Sequence, residues 1–167
     1  CVKNWDKNKD GCLSFPEAAA VSYIGGNTFM QEAIQTFEEL LYFTGITSIP
    51  SQTFYNCSNL TSVTIPNNCT YIGERAFCSC SSLASITIPD SVTTIGSMAF
   101  RGCRSLTAVY LKATIPPVIY DSDGEHTFYF CNENLTIYVP REAYNDYINS
   151  SNNWKRYKGR IQPYDFK

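Results

Sequence analysis

Three stretches of the chain repeat one another at an interval of 23 residues. The first runs Phe54-x-x-Cys57-x-x-Leu60-x-x-Val63-x-Ile65-Pro66. The second runs Ala76-Phe77-x-x-Cys80-x-x-Leu83-x-x-Ile86-x-Ile88-Pro89, and the third Ala99-Phe100-x-x-Cys103-x-x-Leu106-x-x-Val109-x-Leu111. A further apolar element, Ile72-Gly73 and Ile95-Gly96, with Ile49 one unit earlier, keeps the same interval. A unit this short cannot bury an apolar face alone, so a fixed period in this range means units stacked on their neighbours.

The spacing inside a unit dictates its shape. Val63 and Ile65, like Ile86 and Ile88, are two apart and point to one side of a short strand, while Ser62, Thr64, Ser85 and Thr87 face the other. From Gly73 to Cys80 the apolar positions recur at three to four, which suits a turn of α- or 3₁₀-helix. Proline after the strand ends the pairing. Each unit reads as a strand plus a helical return, and stacking makes the strands a parallel sheet. Counting back from Leu60, Val63 and Ile65 lands on Phe37, Leu40 and Tyr42 and predicts a first strand over Phe37–Phe43. Forward, a loop from Thr114 to His126 delays the next unit by five residues. Phe128, Cys131, Ile137 and Val139 then resume the pattern, with Asn134 at the usual leucine position and Pro140 closing it. This gives five strands. Arg141–Ile148 suits a short amphipathic helix with Tyr144 and Ile148 on one face, and Trp154, Tyr157 and Ile161 are expected to plug the end of the core.

Length and composition fit one globular domain: 167 residues, 44% apolar and 17% charged. A net charge of −2 leaves no electrostatic footprint for nucleic acid or anionic lipid. No apolar run reaches the length a membrane span needs, and no signal-peptide pattern is present in these residues. Eight cysteines invite a disulfide reading. Cys57, Cys80 and Cys103, however, recur at one position of successive units, where a small apolar residue forms a buried spine. The buried-thiol reading is the stronger, bridging stays open, and the redox compartment is not read from the count. Cys78 aligns with Tyr55 and Arg101 and is expected to lie exposed on the convex side; Cys78-x-Cys80 has the wrong spacing for a zinc finger.

The units LTSVTIPNNCTYIGERAFCSC and LASITIPDSVTTIGSMAFRGC resemble the BspA-type leucine-rich repeats of bacterial surface proteins. The tail LTIYVPREAYNDYINSSNNWKRYKGRIQPYDF is similar to the C-terminal cap of short gut-bacterial members. The resemblance covers about Phe37 to Phe166 and implies an α/β fold: a right-handed leucine-rich-repeat solenoid with a parallel sheet of about five short strands. It implies a secreted or surface-attached protein used in adhesion or host recognition, and no enzymatic chemistry. The chain then divides, within one structural domain, into an N-terminal EF-hand-like helical cap (1–36), repeats (37–140) and a C-terminal helical cap (141–167).

Ahead of the repeats, Asp6-x-Asn8-x-Asp10-Gly11-x₅-Glu17 satisfies the EF-hand loop pattern. Ca²⁺ takes six to eight oxygens, which Asp6, Asn8 and Asp10 would supply from side chains, Cys12 from its carbonyl, Ser14 directly or through water, and Glu17 bidentately. The stretch resembles the single EF-hand- or dockerin-like loop found ahead of repeats in this family. An isolated loop of this kind is expected to bind Ca²⁺ weakly, at about 10⁻⁴ to 10⁻³ M, in a structural role. The plainer reading is a polar turn followed by a Ser14-x-x-Glu17 capping box on a helix from Phe15 to Tyr23.

The remaining candidates lie on the concave strand face and in the loop. One outward column reads Leu41, Thr64, Thr87, Tyr110, Tyr138, and its neighbour Glu39, Ser62, Ser85, Ala108, Thr136. Hydroxyls and tyrosines make an adaptable contact surface for a protein or a glycan, host-derived by the resemblance. The alternative is that Tyr110 and Tyr138 only cover the last units beneath the C-terminal segment. His126, the single histidine, has only Asp121, Asp123 and Glu125 near it in sequence, and Asp121-Ser-Asp123-Gly124 reads as a turn. No residue is assigned a catalytic role. Three functions follow in order: a recognition module, a structural spacer without a specific ligand, and, last, an enzyme with a site in the loop from Thr114 to Phe130.

Overall fold

The computed structural model describes residues 5, 7–9, 13–121 and 124–167. Every coil contributes to three walls. On the first lie β1 (Thr36–Phe37), β3 (Ser62–Val63), β5 (Ser85–Ile88), β7 (Ala108–Leu111) and β9 (Thr136–Pro140). A sixth strand from the C-terminal segment, β10 (Ile161–Tyr164), joins them. β1 pairs with β3, and β5, β7, β9 and β10 form one parallel sheet. The inward residues stay in register, with Ile86 beside Val109, Val109 beside Ile137 and Ile137 beside Ile161. The isoleucines of the second recurring element build the second wall. They lie in β2 (Ser48–Ile49), β4 (Tyr71–Ile72), β6 (Thr94–Ile95) and β8 (Val118–Ile119), a second parallel sheet.

The third wall is made of turns, where the period of three to four pointed to a helical return. Its amides alternate between two kinds of acceptor. Ala76, Cys78 and Cys80 donate three residues back within the coil, to Gly73, Arg75 and Phe77, at 3.1–3.2 Å. Arg75, Phe77 and Ser79 instead donate across to Ser97, Ala99 and Arg101 of the next coil, at 2.7–3.0 Å. Half of the bonds a helix would need are therefore spent between coils. The alternation is set by left-handed backbone at Arg75 and Ser79, φ 54° and 63°.

Aromatic and thiol ladders run through the core. The rings of Phe54, Phe77, Phe100 and Phe128 stack with centroids 5.1, 5.3 and 5.5 Å apart and planes within 8° of parallel. Phe29 continues the stack at 5.1 Å from Phe54, and its amide bonds Thr53, so the turn ladder begins ahead of the first counted repeat. The thiols are buried, Cys131 partly so, but they do more than fill space. Cys57, Cys80, Cys103 and Cys131 each lie with Sγ 2.8–3.1 Å from the carbonyl of the phenylalanine one coil back, placed to donate. The six cysteines at 57, 69, 78, 80, 103 and 131 are free thiols.

Coil spacing depends on glycine at one corner. A Cβ on Gly96 would lie 2.5 Å from the Glu74 amide nitrogen and 2.7 Å from the Gly73 carbonyl carbon, both backbone atoms that cannot swing aside. Gly96→Ala is therefore expected to cost about 1–3 kcal/mol as an overpacking change, read as a lower midpoint in urea with an unchanged slope.

Several expectations change. Phe37–Phe43 is not a strand: β1 ends at Phe37, and Glu38–Tyr42 form a 3₁₀ turn. Phe37, Leu40, Phe43 and Ile46 are buried at intervals of three, the period of a 3₁₀ turn rather than of a strand. Strand pairing sets Phe37 beside Val63, 26 residues on, so this coil holds three more residues than the 23-residue unit. Leu41 therefore leaves the strand column, and Glu38 takes the place beside Thr64. Cys78 is buried rather than exposed, with its Sγ 3.7 Å from the Ser79 hydroxyl. The N-terminal helix is only Phe15–Ala19, after which Val21 and Ile24 are buried in non-helical chain. In the last coil the leucine position is filled by Leu135, one residue beyond Asn134. The C-terminal segment holds a single α-turn, Tyr144–Ile148, between 3₁₀ turns at Arg141–Ala143 and Asn153–Arg160, and ends as a strand. Trp154, Tyr157 and Ile161 pack against the last coil, with Trp154 Nε1 donating to the Pro117 carbonyl at 2.6 Å.

Candidate functional site

The strand wall alternates buried and solvent-facing side chains, so its outward columns are fixed by the register of the inward ones. Thr64, Thr87, Tyr110 and Tyr138 lie on this face, with Thr87 beside Tyr110 and Tyr110 beside Tyr138. The two tyrosine rings stack at 4.9 Å. Sequence reasoning missed the third member: Tyr164 of β10 meets both rings edge-on at 5.5 and 5.4 Å, and Phe166 packs on Tyr164 at 4.9 Å. Only the pairing of β10 with β9 brings them there, and no repeat signal announces that strand. A cleft of about 310 Å³ opens beside this cluster, lined by Thr87, Tyr110, Lys112, Tyr164, Phe166 and Lys167.

At the other end of the face Glu38 accepts hydrogen bonds from the Ser62 and Thr64 hydroxyls. Those two donors hold its carboxyl below the ordinary carboxylate range. Glu38 shares a cleft of about 280 Å³ with Asn67, Ser85, Thr87 and Lys112. The strand face thus runs from an ionised carboxylate, across hydroxyls, to an aromatic cluster with a lysine beside it. Such a surface offers directional hydrogen bonds and stacking area.

In the N-terminal loop, Glu17 folds back over the chain. Its Oε1 accepts the amides of Lys7 and Asn8 at 2.9 and 3.2 Å, and Oε2 accepts the Ser14 amide and hydroxyl at 3.0 and 2.7 Å. These donors, Ser14 first, lower the Glu17 carboxyl to about 2. The bond to the Ser14 amide is that of a capping-box glutamate, as the plainer reading expected. Asp6, Asp10 and Cys12 of the expected Ca²⁺ set lie outside the described residues.

The loop that carries His126 is tied to the C-terminal segment. Asp121 Oδ1 accepts the Thr127 amide and hydroxyl, each at 2.7 Å, and Oδ2 accepts the Tyr157 hydroxyl at 2.6 Å. Burial, with the Asp121 carboxylate beside it, raises the Tyr157 phenol well above its ordinary value. Asn153 donates to the Ile119 and Asp121 carbonyls, and Arg156 packs against His126. Asp123 lies outside the described residues. Among the described residues no group of three histidine, cysteine or acidic side chains is placed to hold a metal ion, and no helix is long and apolar enough to cross a membrane.

Stacked coils with parallel strands and few helices define a leucine-rich-repeat protein. Residues 47–152 match the model of the BspA type leucine-rich repeat region, in six copies. The chain belongs to that family. Among solved structures it is similar to a leucine-rich repeat protein from Bacteroides ovatus, at 26% identity and a TM-score of 0.47. That match covers 77% of this chain and 33% of the other, so the chain corresponds to about a third of that relative's length. No curated protein matches. The fold is that of a protein-interaction family whose members are generally non-enzymatic, surface-located binding modules.

Proposed function

We propose that this chain is a non-enzymatic recognition module at the bacterial surface, binding a host protein or glycan on its strand face. The observation that carries the proposal is the tyrosine cluster. Tyr110, Tyr138 and Tyr164 gather three rings on solvent-facing strand positions, beside Lys112 and a run of hydroxyls. Rigid aromatic area flanked by small hydrogen-bonding groups is the chemistry of adaptable recognition surfaces, and such aromatics carry most of the binding energy at interfaces. An array of glycans and host proteins identifies the ligand. The Tyr110→Ala, Tyr138→Ala double variant, with its fold checked by circular dichroism, should then weaken binding by about 30-fold or more. Unchanged affinity would remove the strand face as the site, and an array without any saturable binder would favour a spacer.

We further propose that the N-terminal loop takes Ca²⁺ in a structural role. Support comes from the all-oxygen donor set suited to a hard cation and from Glu17, ionised and folded back over Lys7, Asn8 and Ser14. Asp6, Asn8, Asp10, the Cys12 carbonyl, Ser14 and Glu17 would hold the ion. Bound Ca²⁺ would neutralise the loop's carboxylates and tie it to the first coil. Titration calorimetry should give a saturable heat that Asp10→Ala abolishes; absence of heat in the parent chain contradicts the site.

A further inference from the structure

The six arginines divide into two groups by what their side chains touch. Arg75 pairs with Glu74, Arg141 with Asp165, and Arg156 lies 3.7 Å from Asp121, while Arg160 donates to the Asn132 and Glu133 carbonyls. Arg101 and Arg104 have no side-chain acceptor among the described residues, and the Nε of Arg101 is buried without a hydrogen-bond partner. Both line the same cleft, about 440 Å³ on the turn wall, within the size range of small-ligand sites.

The repeat makes this cleft an ordered strip. Ser58, Ser81 and Arg104 occupy one column at the 23-residue interval, and Asn56, Ser79 and Gly102 the neighbouring one. Two coils therefore present hydroxyls and an amide, and the third presents two guanidinium groups where Gly102 adds no side chain. Phe130 closes the cationic end. It holds the turn position of Asn56, Ser79 and Gly102 in the following coil, with φ of 58°. A bulky side chain is rarely found in this left-handed backbone, and it is 58% exposed. The Arg101 guanidinium lies over its ring at 5.5 Å, which fixes the arginine at the cleft.

We infer that this cleft binds an acidic saccharide, with Arg101 and Arg104 holding its carboxylate or sulfate and the serine and asparagine columns its hydroxyls. Guanidinium groups match planar oxyanions bidentately. The hydroxyl and amide lining answers a neighbouring sugar ring, and the exposed Phe130 ring at the cationic end offers it a stacking face. The site lies on a different wall from the strand face and does not depend on that proposal.

The test is an amide-NMR titration of the full chain with five probes. They are a glucuronate-containing disaccharide, a sulfated disaccharide, a neutral disaccharide, sodium sulfate and a glutamate-rich peptide. The expected result is saturable shifts at Ser79, Ser81, Arg101 and Arg104 with one or both acidic disaccharides, their relative strength telling carboxylate from sulfate. The neutral sugar, the inorganic salt and the peptide should give markedly weaker responses. Arg104→Gln, on an exposed side chain, should weaken binding about tenfold, as loss of a charge-assisted bond does, and Arg141→Gln should leave it unchanged. Equal responses to sodium sulfate or to the peptide, no response to either acidic disaccharide, or unaltered affinity in Arg104→Gln would each overturn the inference.

Discussion

Replacing Phe77 with alanine is expected to destabilise the fold by about 3–5 kcal/mol, the range for deleting a fully buried aromatic ring. Phe77 is wholly buried between Phe54 and Phe100, with ring centroids 5.1 and 5.3 Å away. Its neighbours cannot close the gap, because their positions are set by coil spacing through the amide bonds of the turn wall and the backbone contact at Gly96. A loss of that size is a large part of an ordinary domain's stability, about 5–15 kcal/mol. Denaturant unfolding should show a midpoint far below that of the parent. A loss under about 1 kcal/mol would mean that the ring is not packed between coils.

The second large effect is expected from alkali. Burial pushes the Cys57 thiol up to about 11 and that of Cys131 up to about 12, and raises those of Cys80 and Cys103 well above the ordinary thiol value. In the unfolded chain a thiol loses its proton near 8.5. Above that pH the unfolded state is deprotonated while the native state keeps its protons, so the unfolded state gains and stability falls as pH rises. The contribution of these thiols is intact below about pH 8.5 and is lost progressively toward 11. For Cys57 and Cys131 together the loss is roughly 3 kcal/mol at pH 9.5 relative to pH 7.5, and Cys80 and Cys103 add to it in the same direction. Guanidinium unfolding at the two pH values under reducing conditions measures it, and Cys103→Ala should shrink the difference. A pH-independent midpoint over this range would contradict the buried thiol ladder.

The repeated core was legible because each inward residue type returns to the same position: in the three 23-residue units the Phe, Cys, Leu, Val and Ile columns are buried as their interval demanded. Legibility ended where the interval changed. In the first coil, three additional residues form a 3₁₀ turn, and a ruler of 23 landed on Leu41 instead of Glu38. The buried series Phe37, Leu40, Phe43, Ile46 carried the signal that could have corrected it. On the strand face Tyr110 and Tyr138 were visible as a column, whereas Tyr164 was not, because a strand outside the repeat brings it there. The role of the cysteines was half legible. Recurrence showed burial, but their bonds to the carbonyls of the preceding coil require the third dimension.

Stacking of equivalent side chains from coil to coil is tested most directly by double-mutant cycles on the phenylalanine ladder, using Phe→Leu changes that leave the core filled. For Phe77 and Phe100, rings 5.3 Å apart, a coupling of about 0.5–1.5 kcal/mol is predicted. For Phe54 and Phe100, separated by Phe77, it should fall to about 0.3–0.5 kcal/mol or less, as nearest-neighbour stacking requires. Equal coupling in the two pairs, or none in either, would contradict a stack of coils.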